Sequence, residues 1–153
     1  MSLESKKPRF LVAEEEQDKI SRNVLKWLNT FPEIPDMVDT INYEFLKDDI
    51  TGMTLSTIQG AYVAERYILG GYKAEYPFKV IYRIKPGNSM DKRLKADELL
   101  DHLGNWASRG RPDLGEGLRS IRVEVTSPSS MFAVYENGDV DHQILMKLTY
   151  EVI

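Results

Sequence analysis

Five residues spaced two apart, Tyr76, Phe78, Val80, Tyr82 and Ile84, put apolar side chains on one side of the chain, while Glu75, Lys79, Arg83 and Lys85 take the other. Only Ile81 interrupts the polar side. A period of two held this long is a β-strand with one face in a core and one in water. A second strand-like run begins at Tyr62, and Gly70-Gly71 lies between the two. Paired glycines take the positive φ that tight turns need, so Tyr62 to Pro86 reads as a hairpin. Pro77 has no N–H for a ladder, which predicts that this arm lies near a sheet edge or is bulged there.

The rest of the chain fits around that hairpin. Between Ala13 and Phe31, the residues Ile20, Val24, Trp27, Leu28 and Phe31 form one helical stripe, and Pro32 ends it. Thr40 to Lys47 reads as a strand with Ile41, Tyr43 and Phe45 on one face, and Asp48, Asp49 and Gly52 turn it into a strand over Met53 to Ile58. Ser89 is placed to cap a second helix carrying Ala96, Leu99, Leu100, Leu103, Trp106 and Ala107. Ser108 to Gly117 holds Gly110, Pro112, Gly115 and Gly117 and is expected to be an irregular, mobile loop bearing Arg109 and Arg111. Three strands close the chain: Leu118 to Thr126, Met131 to Glu136 and Val140 to Ile153. Asn137-Gly138 between the last two predicts a type I′ turn. Hairpins in place of crossovers imply an α+β domain, a largely antiparallel sheet with two helices on one face. Residues 1–12 are expected to form a flexible arm and residues 13–153 a single domain.

Composition narrows the chemistry. The chain has 153 residues, no cysteine and a net charge of −4 from 24 acidic and 20 basic residues. Disulfides, thiolate metal sites and cysteine nucleophiles are thereby excluded, and a general nucleic-acid binder or a polybasic membrane anchor is disfavoured. Two histidines make a metal centre improbable: His102 reads as solvated and His142 as packed beside Val140 and Ile144. Asp139 and Asp141 lack the rest of a calcium loop and read as turn chemistry. Ser89-Met90-Asp91-Lys92 matches S-x-x-K, but its companion motifs are absent and a helix cap accounts for Ser89 better. Glu14, Glu15 and Glu16 stand at a helix start, where negative charge is favourable. No catalytic, cofactor-binding or metal-binding residue is assigned.

The run ERYILGGYKAEYPFKVIYRIKPG, Glu65 to Gly87, followed by DKRLKADELLDHLGNWA, Asp91 to Ala107, resembles the minor capsid or tail-completion family of bacteriophages infecting Gram-positive bacteria. The segments RYI, GGY, YPF, YR and LGNWA stand in that order. The resemblance implies a tail-terminator-like fold and a non-enzymatic virion structural protein. Its subunits would form a ring, commonly a hexamer, at the head–tail junction, meeting tail-tube and head-completion proteins. The implied location is the virion, and the host bacterial cytoplasm during assembly. Tyr67, Gly70, Gly71 and Tyr72 on the hairpin, with Arg109 and Arg111 in the loop, are the candidate interface residues; the matching hairpin positions, which also include Tyr76, Pro77 and Phe78, have fold integrity as their alternative role. An acidic subunit suits a channel that DNA passes without sticking. Two other classes compete. One is a small-ligand or enzymatic domain with a pocket between helices and sheet, and the other a nucleic-acid module using the hairpin tyrosines with Arg66, Arg83, Arg109 and Arg111.

Overall fold

The computed structural model describes residues 10–46 and 51–153. Helix α1 spans Glu14–Leu28 and buries Ile20, Val24 and Leu28, the stripe its spacing predicts. It stops one turn short of Phe31, which is buried in the following turn, where its N–H donates to Leu28 O. A 3₁₀ turn, Ile34–Asp36, leads to β1, Ile41–Tyr43. The remaining elements are β2 (Gly52–Thr57), β3 (Tyr62–Arg66), β4 (Tyr72–Ile84), α2 (Met90–Ser108), β5 (Leu118–Val134) and β6 (Val140–Val152).

The sheet runs β1-β2-β4-β6-β5, with β3 also paired to β4. Every pair is antiparallel except β1 with β2. Both helices lie on one face, giving the α+β architecture the hairpins imply. That face is built from Tyr76, Phe78, Val80, Tyr82 and Ile84 of β4 and from Val140, His142, Ile144, Met146, Leu148 and Tyr150 of β6, all buried. Helix α2 lays Leu99, Leu100, Leu103 and Ala107 on β5 and β6. Its Gly104 is a close approach: a Cβ there would lie 2.6 Å from Ile144 Cδ1. Helix α1 is tied down by hydroxyls. Tyr72 and Tyr150 donate to the two carboxylate oxygens of Glu16 at 2.5 and 2.6 Å, and Tyr76 shares a 2.9 Å hydrogen bond with Ser21.

Several expectations are corrected. The first strand ends at Tyr43, because Glu44 turns into the left-handed region at φ 53. Of its expected inward face only Ile41 is buried, whereas Tyr43 and Phe45 are exposed. Asp48 and Asp49, placed in the following turn, lie outside the described residues. Pro77 sits in an internal strand, paired with Lys147 of β6. Its carbonyl accepts from Ile58 N, so its missing donor faces the same side, where β2 has ended and β3 has not begun. The interruption lies in the neighbour, not in β4. There Gln17 clamps the link from the helix side, donating to Ala61 O at 2.6 Å and accepting from Ala61 N at 2.7 Å.

The two strands expected at Leu118 to Thr126 and Met131 to Glu136 are one, β5, which absorbs Pro128 through repeated register shifts against β6. It is also the sheet edge, so the long final strand, flanked by β4 and β5, offers no free edge. The β5–β6 turn is not type I′: Gly138 has φ 91 while Asn137 keeps negative φ. Gly138 N donates to Tyr135 O and Tyr135 N to Asp139 O, the pattern of a type I turn followed by a glycine bulge. The chain joins the sheet before residue 13. Val63 N donates to Phe10 O, Leu11 bridges Tyr62, and Val12 is buried.

Candidate interaction surface

The start of β5, the end of β6 and the β3–β4 turn gather at one end of the sheet, beside the first turn of α1, where Glu16 meets Tyr72. Leu118, Val152 and Tyr72 stand side by side across three strands there. Of the six candidate interface residues, Tyr67, Gly70, Gly71 and Tyr72 sit at this end, whereas Arg109 and Arg111 follow α2 beside Trp27, eleven positions along α1 from Glu16, roughly 16 Å at helical rise. The turn between β3 and β4 is closed by Tyr67 N donating to Gly71 O at 3.1 Å and Gly70 N donating to Tyr67 O at 3.2 Å. Gly70 and Gly71 have φ of 101 and 80, and a Cβ on Gly71 would overlap the Val152 carbonyl oxygen. These glycines shape the tip.

The tyrosines beside the tip face the scaffold. Tyr67 donates its hydroxyl to Glu151 at 2.8 Å, while Tyr72 is half-buried on Glu16. Desolvation, then the hydrogen bond to Glu16, pushes the Tyr72 phenol up to about 12, so it remains a donor at neutral pH. What the tip presents outward is Ile68 and Leu69, 101% and 99% exposed. Sequence reasoning passed them by. Their signal was two aliphatic residues at the centre of a glycine-marked turn, where polar residues are usual.

Arg109 follows the last turn of α2 and donates to Asn105 O at 3.2 Å, a favourable place for a cation at a helix C-terminus. Arg111 is exposed two residues on. The loop carrying them is irregular but held at several points. Pro112 and Leu114 are buried, Asn23 donates to Leu114 O, Lys19 to Glu116 O and Ser120 to Pro112 O. An expectation of mobility based on four backbone breakers overlooked these anchors from α1 and β5.

Beside Arg109 a groove of about 520 Å³ opens where the C-terminal ends of the two helices meet. Phe31, Pro32 and Trp106 wall it, with Glu33, His102 and Arg109 at its margin. Trp27 stacks on Trp106 at 4.9 Å and Phe31 tilts against it at 5.4 Å, giving the groove a firm aromatic floor. Polar groups do not converge in it: His102 is exposed and 3.2 Å from Glu33.

The remaining candidates for chemistry are structural. Ser89 Oγ accepts from Lys92 N at 3.2 Å, a helix cap. His142 is 1% exposed, with Nδ1 2.8 Å from Asp97, which also accepts from Ser129 Oγ at 2.5 Å. Asp141 is buried and takes both arms of Arg83, at 2.7 and 2.8 Å, plus the Tyr135 hydroxyl at 2.8 Å. Arg83 is thereby removed from any basic surface, and it stands eleven positions along β4 from Tyr72, roughly 36 Å at strand rise. The four arginines of the nucleic-acid reading are not brought together. Among the described residues no group of three or more His, Asp or Glu is placed to hold a metal, and no helix is long and apolar enough to cross a membrane.

No family model matches the chain, and no curated protein does. Solved structures do. One is a chain from the virion of a native gene transfer agent particle, with a TM-score of 0.64 at 14% identity, covering 91% of this chain and 99% of the other. A second solved chain, whose description names no function, gives 0.50 at 18% identity over 90% and 95%. The likeness runs nearly end to end in both, so this chain shares the whole fold of a virion component.

Proposed function

We propose that the chain is a non-enzymatic structural subunit of a phage-like virion, a tail-terminator or completion protein that forms a ring, commonly of six copies, at the head–tail junction. The observation that carries this reading is the near-complete structural likeness to a chain of a gene transfer agent virion. The surface agrees with an assembling role. A 17-residue edge strand, β5, exposes Met131, Phe132 and Val134, and the opposite end of the molecule exposes Ile68 and Leu69. Exposed edges and apolar tips are what a subunit uses to meet neighbours, and heterologous contacts close into a ring when the rotation between neighbours closes. The hairpin end, with Tyr67, Gly70, Gly71 and Tyr72, and the separate segment that carries Arg109 and Arg111 are the surfaces assigned to those contacts. Net negative charge keeps the subunit from holding DNA by phosphate neutralisation.

Immunogold labelling of intact particles with antibody against this chain tests the assignment. Gold confined to the junction between head and tail is the expected pattern. Labelling spread over the head, or particles that never carry the chain, would refute it.

A further inference from the structure

The molecule contains its own control for the exposed tip. Two turns, Tyr67 to Gly71 and Tyr135 to Asp139, share one hydrogen-bond pattern: the glycine N–H donates back to the tyrosine carbonyl, and the tyrosine N–H to the carbonyl after the glycine. Their glycines, Gly70 and Gly138, have φ of 101 and 91. In one turn the two central residues are Glu136 and Asn137; in the other they are Ile68 and Leu69. The turn itself is satisfied by polar residues, so backbone geometry gives no reason for two aliphatic side chains in full contact with water. Leaving them there forgoes the hydrophobic stabilisation that burial would bring. A single exposed aliphatic is ordinary; an adjacent pair at a projecting tip is a patch waiting for a surface.

A receptor for such a pair exists on the same molecule. The Trp106 groove has apolar walls, and its size, about 520 Å³, falls within the range of roughly 300–1,000 Å³ that holds compact ligands. Charges match as well. Glu65, 3.2 Å from Lys73, and Arg66, over the Tyr72 ring, immediately precede the tip turn, and the groove margin carries Arg109 and Glu33, the latter 3.2 Å from His102, so each side offers both signs of charge to the other. Tip and groove are separate patches, so each copy can give one and receive one. That is a heterologous contact, which propagates around a ring and does not stop at a two-fold dimer.

We infer that copies of this chain join by seating the Ile68–Leu69 tip of one in the Trp106 groove of the next. The inference rests on the ring assembly proposed above and names its contact. A tip of two side chains buries far less than the roughly 1,000 Å² of a stable interface. The contact therefore forms when neighbouring subunits are held side by side on a template, and free chains associate weakly.

The absence of native cysteine makes the contact easy to trap. Leu69→Cys and Asn105→Cys, the second in the groove lining, are prepared separately, mixed under mild oxidation, and compared with Leu69→Cys mixed with Thr126→Cys, an exposed β5 position. The experiment is done with and without cognate tail tubes. Expected is a disulfide between positions 69 and 105 at least ten times the control yield and increased by tubes. Ile68→Asp with Leu69→Asp should leave the circular dichroism and melting unchanged while lowering tube-end occupancy by roughly a hundredfold, since two aliphatic burials of about 1.5 kcal/mol each are lost. Rings at tube ends without the 69–105 bond, or with only 69–69 bonds, overturn this contact and leave the virion assignment standing. Neither tube-end binding nor a 69–105 bond overturns both.

Discussion

Glu16 offers the sharpest test of how the helix layer is fixed to the sheet. Its two carboxylate oxygens accept from Tyr72 at 2.5 Å and Tyr150 at 2.6 Å. Tyr150 is fully buried, so Glu16→Ala strands its hydroxyl, at about 1–3 kcal/mol for an unpaired buried group. Tyr72 is half-buried and turns to water, losing the smaller net value of a charge-assisted bond, about 1.5 kcal/mol. The sum is about 3 kcal/mol, or roughly 6–12 °C in melting temperature for a chain of this length. Glu15 is exposed on the same first helical turn and makes the control, because Glu15→Ala loses only its share of the dipole interaction, about 0.5 kcal/mol. Urea denaturation of both variants, with Tyr150→Phe added to close a double-mutant cycle, measures the coupling. Equal losses in Glu16→Ala and Glu15→Ala, or no coupling between Glu16 and Tyr150, would refute the reasoning.

Asp141→Ala leaves buried Arg83 without its bidentate partner and is expected to lower stability by about 3 kcal/mol or more in urea; partial recovery on adding Arg83→Met separates the orphaned charge from lost packing. Gly104→Ala brings a Cβ to 2.6 Å from Ile144 Cδ1 and 2.9 Å from Val125 Cγ2, so overpacking outweighs the helix gain of about 1 kcal/mol, and adding Ile144→Val restores melting temperature. Burial raises the phenols of Tyr76 and Tyr150, and Tyr72 is pushed up to about 12. A folded value above the unfolded one gives stability that is complete below about pH 10 and lost as pH rises toward and through the folded values. Denaturation midpoints should therefore fall between pH 9 and 12, as an approximate window around the free tyrosine value, and a flat profile would contradict it.

Much of this fold was legible because its signals are periodic. The alternation in β4 and the helical stripes in α1 and α2 each gave a buried face, and Ser89 gave a cap. What stayed hidden depended on neighbours. Pro77 argued for an edge, yet the gap lay in the strand opposite. Pro128 argued for a break, yet register shifts along β5 absorbed it. Breakers in the loop after α2 argued for mobility, while side chains from α1, distant in sequence, held it. At the hairpin end, glycines and tyrosines drew the eye because such residues mark turns and interfaces. The structure gives the glycines to turn geometry and the tyrosine hydroxyls to the scaffold, leaving Ile68 and Leu69 outermost. Composition shows two aliphatics there; only a solved turn shows them bare.

Negative-stain electron microscopy of cognate tail tubes mixed with the purified chain tests the virion assignment most directly. A subunit that closes the end of a tube matches it with one face and offers no copy of that face beyond. The expected images show density at one end of each tube, a ring in end view, and shorter tubes when the chain is present during polymerisation. Uniform decoration along the tubes, or tubes whose ends and lengths are unchanged by the chain, would contradict it.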